Sequence, residues 1–141
     1  MGYTLPDKKQ LQPHEDITFY PELVTRLDPT LVLKALADET RLRILNLLYD
    51  QELCVCDIMA VLQITQTKAS RHLIYMKNAG LLADRKEAQW VHYSLVYFKN
   101  TNFLHSLVEE TLRSEQLYLE DLERLSQRIK PLTKRSQSRG I

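Results

Sequence analysis

Cys54-Val55-Cys56 is the segment of this 141-residue chain whose residue types and spacing carry special chemistry. Two thiols two positions apart offer a pair of soft sulfur donors, and thiolates select soft ions over Mg²⁺ or Ca²⁺. The pair stands at the start of an expected helix, where the positive end of the helix dipole favours thiolate, while Glu52 and Asp57 act in the opposite sense. Residues i and i+2 of a regular helix point about 200° apart. Both sulfurs could then grip one ion only if the first helical turn bent or unwound, which would move whatever the helix carries. Two other readings stand beside this one. The thiols could be small buried hydrophobes, or a redox pair, although a Cys-x-Cys disulfide closes a small, strained ring.

A second group of residues suits nucleic acid. Lys+Arg total 19 against 18 Asp+Glu, yet the charge is segregated: residues 63–99 carry six basic and two acidic groups, and residues 130–141 carry four basic and none. Locally concentrated positive charge is what a phosphate backbone attracts. Within the first block, Ala69, Leu73 and Met76 share one helical face and are expected to be core. Gln66, Lys68, Ser70, Arg71 and His72 then face outward. Gln pairs with adenine and Arg with guanine in the major groove, and Ser and Lys suit phosphates or bases alike. His72 is expected at the DNA surface rather than on a metal, and His92, in a strand beside Trp90, is expected only to pack.

These residues need elements to position them. Asp28-Pro29 starts a helix containing Leu31, Leu33, Ala35 and Leu36. Asp38-Glu39 opens a second, with Leu42, Leu45, Leu48 and Tyr49 as its apolar stripe. A third, Cys56 to Leu62, turns Ile58, Val61 and Leu62 inward. After the turn Gln63-Ile64-Thr65, Thr65 caps a fourth from Gln66 to Ala79, and Gly80 suits the left-handed position beyond it. Two helices joined by so short a turn form a helix-turn-helix. Period two follows, in strands Leu81–Lys86 and Trp90–Val96 joined by Glu87-Ala88-Gln89. Trp90, His92 and Ser94 share one face and Val91, Tyr93 and Leu95 the other. This hairpin, bearing Arg85 and Lys86, is a wing.

The last apolar series, Leu104, Val108, Leu112, Tyr118, Leu122, Leu125 and Ile129, reads as one helix from Asn102 to Lys130, ended by Pro131. Its length, about 40 Å, exceeds what one small domain covers, so packing on a second copy is expected. The expected architecture is mainly α with a β-hairpin: a winged helix-turn-helix homodimer with a long C-terminal dimerisation helix. Residues 1–30 form an N-terminal arm assigned to dimerisation, 31–97 the DNA-binding domain, 98–132 the dimerisation helix and 133–141 a basic mobile tail.

Other classes find little support. No run of about 18 apolar residues or signal-like core occurs, so a cytoplasmic protein with reduced thiols and no membrane partner is expected. There is no Gly-rich phosphate loop and no acid/base or nucleophile constellation, so no enzyme is expected. A thiol oxidoreductase would need a βαβ frame around the cysteines, and the pattern has none.

Three stretches resemble the ArsR/SmtB family of metal-responsive repressors. They are Leu36-Ala37-Asp38-Glu39-Thr40-Arg41-Leu42, Glu52-Leu53-Cys54-Val55-Cys56-Asp57 and Lys68-Ala69-Ser70-Arg71-His72-Leu73, with Asp84-Arg85-Lys86 and Trp90-Val91-His92-Tyr93 in support. The resemblance covers about residues 31–97. It implies a dimer that represses from double-stranded operator DNA and leaves when As(III) or Sb(III) binds Cys54 and Cys56. The same architecture could instead sense cadmium, lead, mercury or thiol oxidation. Met59 stands where many relatives have a third cysteine, so the third ligand is open: water, a small thiol such as glutathione or a partner group could fill it. Ala88 stands where the family usually has Gly; Ala resists positive φ, so another turn type is expected. Of the family's second metal site only His105 and Glu109 have counterparts, and no zinc site is expected there.

Overall fold

The computed structural model describes residues 28–96 and 102–139, with side chains through Ile129. Apart from its last three residues, the expected N-terminal arm lies outside them. Helix α1 (Pro29–Leu36) starts at Asp28, whose carboxylate accepts Thr30 N–H at 2.9 Å. It buries Val32, Ala35 and Leu36 and leaves Leu31 and Leu33 exposed. Helix α2 (Glu39–Leu48), capped by Asp38, buries Ile44, Leu45, Leu47 and Leu48. It buries Asn46 as well, so the buried face is wider than a four-residue stripe.

A two-residue strand β1 (Leu53–Cys54) precedes helix α3 (Val55–Leu62). Gln63 ends α3 in the left-handed region (φ 57°, ψ 49°), and Thr65 caps helix α4 (Gln66–Asn78). Gly80 follows at φ 89°. Strands β2 (Leu82–Glu87) and β3 (Trp90–Leu95) form the hairpin, and β1 adds on the other edge, giving the antiparallel order β1-β3-β2. Tyr93 points into the core and Trp90 outward, as alternation requires. The hairpin turn is shorter than the sequence suggested, because Glu87 pairs with Trp90. Ala88 takes a positive φ of 57°. The expectation that alanine would avoid this region is corrected: a two-residue connection matching strand twist requires positive φ.

The C-terminal region departs from one continuous helix. Helix α5 (Asn102–His105) runs into a π-turn over Ser106–Thr111 and a 3₁₀ turn over Leu112–Ser114. Glu115 is extended (φ −108°, ψ 142°), and helix α6 (Gln116–Arg139) begins anew. The apolar spacing carries the reason. Leu104, Val108 and Leu112 step by four, but Tyr118 lies six further on, and no helical face absorbs a step of six. Arg113, bonded to Asn46 and Asp50 on and beside α2, anchors the break. Nor does Pro131 end α6, as expected, and residues 133–139 of the expected tail are helical. Proline's fixed φ is itself helical, so it removes one hydrogen bond without forbidding the turn.

Tyr118 and Leu125, expected to face a second copy, are instead buried in the chain's own core. On the same face Asp121 is 0% exposed and accepts Arg43 Nε and Nη2 at 2.7 and 2.8 Å, and Arg124 as well. One apolar core thus runs from α1 through the helix-turn-helix to the root of the wing and α6. Among the described residues no helix is long and apolar enough to cross a membrane.

Candidate metal centre and nucleic-acid interface

The thiols sit where extended chain becomes helix. Cys54 is the N-cap of α3, with extended dihedrals (φ −72°, ψ 151°), and its Sγ accepts Cys56 N–H at 3.3 Å. Asp57 completes a capping box, its Oδ2 accepting Cys54 N–H at 3.1 Å. Helical geometry therefore does not govern the pair. The two sulfurs are brought into direct contact on one side of the junction, and both cysteines are free. This overturns the expectation that the first turn must unwind before both sulfurs reach one ion. Cys54-x-x-Asp57 was the signal in the sequence: a capping box with sulfur in place of a hydroxyl.

Cys54 is buried and Cys56 half-buried, so the site opens outward through Cys56. Burial pushes the Cys56 thiol up. The hydrogen bond to Cys54 and the Asp57 carboxylate add to this, and Arg128 opposes it. The rise outweighs any lowering by the helix dipole. The donor set fits a soft ion that takes two thiolates together. Met59 packs partly buried against the core. Among the described residues no cluster of three or more His, Cys, Asp or Glu side chains forms a further metal site. His105 instead bonds Tyr49 Oη at 2.7 Å, and Glu109 pairs with Arg113 at 3.5 Å.

Three connections lead away from the thiols. In the sheet, Cys54 lies opposite His92 of β3. Two residues earlier, Glu52 accepts Arg85 of the wing through both oxygens, at 2.7 and 2.9 Å. On the other side, Arg128 of α6 bonds Asp57, the residue next to Cys56, at 2.8 Å. The sequence reading missed β1 and Arg128. Two residues are too few for a period-two pattern, and Arg128 lies 71 positions from its partner.

On α4, Ala69, Leu73 and Met76 are fully buried. Gln66, Lys68 and Arg71 are exposed; Ser70 and His72 are half-buried. Thr65 is exposed, with its hydroxyl accepting Lys68 N–H at 3.1 Å. His72 Nδ1 meets Arg41 Nη1 at 3.3 Å, and the Arg41 guanidinium also stacks 4.2 Å from the centroid of Tyr75. Burial lowers the His72 pKa; Asp38 opposes, and Arg41, Lys68 and Arg71 reinforce. A neutral His72 accepts from Arg41, which locks α4 against the α1–α2 corner. Arg85 and Lys86 are exposed on the wing, and Arg85 is held by Glu52 and Glu87. His92 lies half-buried, 4.0 Å from Glu87.

Residues 38–84 match the family described as "Bacterial regulatory protein, arsR family". Over 68 residues the chain is 53% identical to the arsenical resistance operon repressor of Escherichia coli (strain K12), covering 48% of this chain and 58% of that protein. It therefore spans just over half the length of that relative. It is 38% identical over 96 residues to the arsenic resistance transcriptional regulator ArsR2 of Pseudomonas putida (strain KT2440), covering 67% and 83%. Among solved structures, HlyU from Vibrio cholerae N16961 superposes with a TM-score of 0.56 at 36% identity, covering 60% of this chain and 91% of that one. The homodimeric winged helix-turn-helix DNA-binding domain of Mb0332 from Mycobacterium bovis gives 0.50 at 28%, covering 62% and 84%.

Proposed function

The chain belongs to the ArsR family of bacterial regulatory proteins, and from that premise we propose that it is a cytoplasmic, non-enzymatic transcriptional repressor. As a homodimer it holds operator DNA through α4 and the wing, and it lets go when As(III) or Sb(III) is captured by Cys54 and Cys56. The observation that carries the reading is the convergence of the two sulfurs at a junction that pairs with wing strand β3 and continues through α3 and its short turn into α4. Gln66, Lys68, Ser70 and Arg71 meet base edges and phosphates in the major groove. Thr65 fixes the start of that helix, His72 fixes its seat through Arg41, and Arg85 and Lys86 meet the backbone beside it.

The inducer supplies a centre that forms covalent bonds to sulfur. Holding both sulfurs on one centre fixes their separation and angle, so Cys54 and the cap it gives α3 must adjust. The Cys54 backbone moves relative to His92, and Glu52 moves relative to Arg85. On the other side α3 shifts the short turn that sets the angle of α4. A groove reader built from two such units tolerates little change in the spacing of its helices.

The test is fluorescence anisotropy of labelled operator DNA with the reduced protein. Arsenite is expected to release the wild type, while Cys54→Ser and Cys56→Ser bind DNA normally and resist release. Normal release from both variants, or release by Cd²⁺ or Pb²⁺ but not by arsenite, contradicts the proposal.

A further inference from the structure

Arsenous acid has three As–O bonds, and this chain has two cysteines. Capture by sulfur exchanges each As–O bond for an As–S bond. The thiol proton and the departing hydroxide leave as water, and arsenic stays trivalent. Cys54 and Cys56 account for two exchanges, and Met59, a thioether without a proton to give, cannot make the third.

Beside the thiols runs an open groove of about 460 Å³ between α3 and α6, lined by Ala60, Val61, Arg124, Gln127 and Arg128. Arg128 belongs both to the groove and to the thiol site, since it bonds Asp57, which accepts Cys54 N–H and adjoins Cys56. The acidic partners lie deeper than the guanidiniums. Arg124 and Arg128 side chains are each 40% exposed, whereas Asp121 is 0% and Asp57 23% exposed. Arg124 uses Nε on Val61 O and Nη2 on Asp121, and Arg128 uses Nε on Asp57. A guanidinium has five N–H donors, so both retain donors for an arriving carboxylate. Gln127 adds an amide, bonded to Glu123 at 3.3 Å.

We propose that this groove receives a low-molecular-weight thiol bearing a carboxylate, whose sulfur completes the three-sulfur shell begun by Cys54 and Cys56. The inference rests on the arsenic reading above. The As–S bond anchors the small thiol, so the open groove need only orient its carboxylate on the arginines.

The experiment uses the full, reduced chain with arsenite and two probes that differ only in charge, N-acetylcysteine and N-acetylcysteinamide. Arsenic K-edge absorption counts the sulfur neighbours, and native mass spectrometry weighs the adduct. A ternary adduct with three As–S bonds is expected, half-saturated by the carboxylate probe at a concentration about fivefold below that of the amide. Arg128→Gln, and independently Gln127→Glu, which leaves the thiol pair untouched, should bring that ratio close to one. Two sulfurs and one oxygen at every probe concentration overturn the proposal. So do three sulfurs without any probe, which would place the third donor on this chain or a neighbouring copy, and so does equal affinity for the two probes. In each of these cases the arsenic reading survives. Failure of arsenite to bind at all removes both.

Discussion

Two arginine–carboxylate clusters flank the thiol junction, and they are built in opposite ways. On the α6 side Asp121 is fully buried between Arg43 and Arg124. On the wing side Arg85, 50% exposed, is shared by Glu52 and Glu87 at the surface. A buried carboxylate stripped of its partners cannot be rehydrated, whereas a surface arginine exchanges one anion for another at little cost. In the proposed reading the difference separates a scaffold that must not move from a wing edge whose Arg85 would trade Glu52 for a DNA phosphate. The thiols lie between the two, joined to α6 by Arg128 and to the wing by β1.

Breaking the buried cluster should have the largest effect. Arg43→Met, which takes from buried Asp121 the partner that bonds both its oxygens, is expected to lower unfolding stability by about 3–5 kcal/mol, read as a shift in the urea midpoint; a loss below about 1 kcal/mol would erase the contrast between the clusters.

Next comes the pH response of the site between them. The Cys56 thiol is raised by burial, so it holds its proton at neutral pH. A divalent ion must expel that proton, and its affinity should rise about tenfold per pH unit for this thiol alone. Arsenous acid returns the proton as water, so its affinity should stay nearly flat between pH 6 and 8. Titrations followed by sulfur-to-metal absorbance distinguish the two slopes, and a steep arsenite slope would contradict the expected chemistry.

On the wing, Ala88→Gly should stabilise by about 1 kcal/mol, because glycine accepts positive φ without the Cβ penalty. Smallest is Arg85→Ala, expected to leave the urea midpoint almost unchanged because its ion pairs are solvent-exposed. It should still weaken operator binding and reduce the magnitude of its salt slope by about one. Unchanged DNA binding would leave the wing cluster merely structural.

The sequence revealed local features well. The caps at Asp28 and Thr65, the helix opening at Asp38-Glu39, the core face Ala69-Leu73-Met76, the glycine after α4 and the alternation of β3 all follow from spacing, and all recur in the structure. What it concealed was set by partners distant in the chain. β1 exists because β3 pairs with it, and Cys54 is extended for that reason. The Tyr118 seam is internal because Arg43, 78 positions away, neutralises Asp121 on the same face. Two of the misreadings did carry a local sign: the six-residue step before Tyr118, and the capping box that moves the start of α3 to Val55.

The central claim is that the thiol junction is mechanically joined to both DNA-facing elements. Amide hydrogen exchange on the DNA-free, reduced protein, with and without arsenite, tests it most directly. Faster exchange is expected at Cys56 as the cap of α3 adjusts, extending to His92 and Tyr93 in β3 and to the first turns of α4, and absent in Cys54→Ser. A change confined to residues 54–57, with β3 and α4 untouched, would contradict the account.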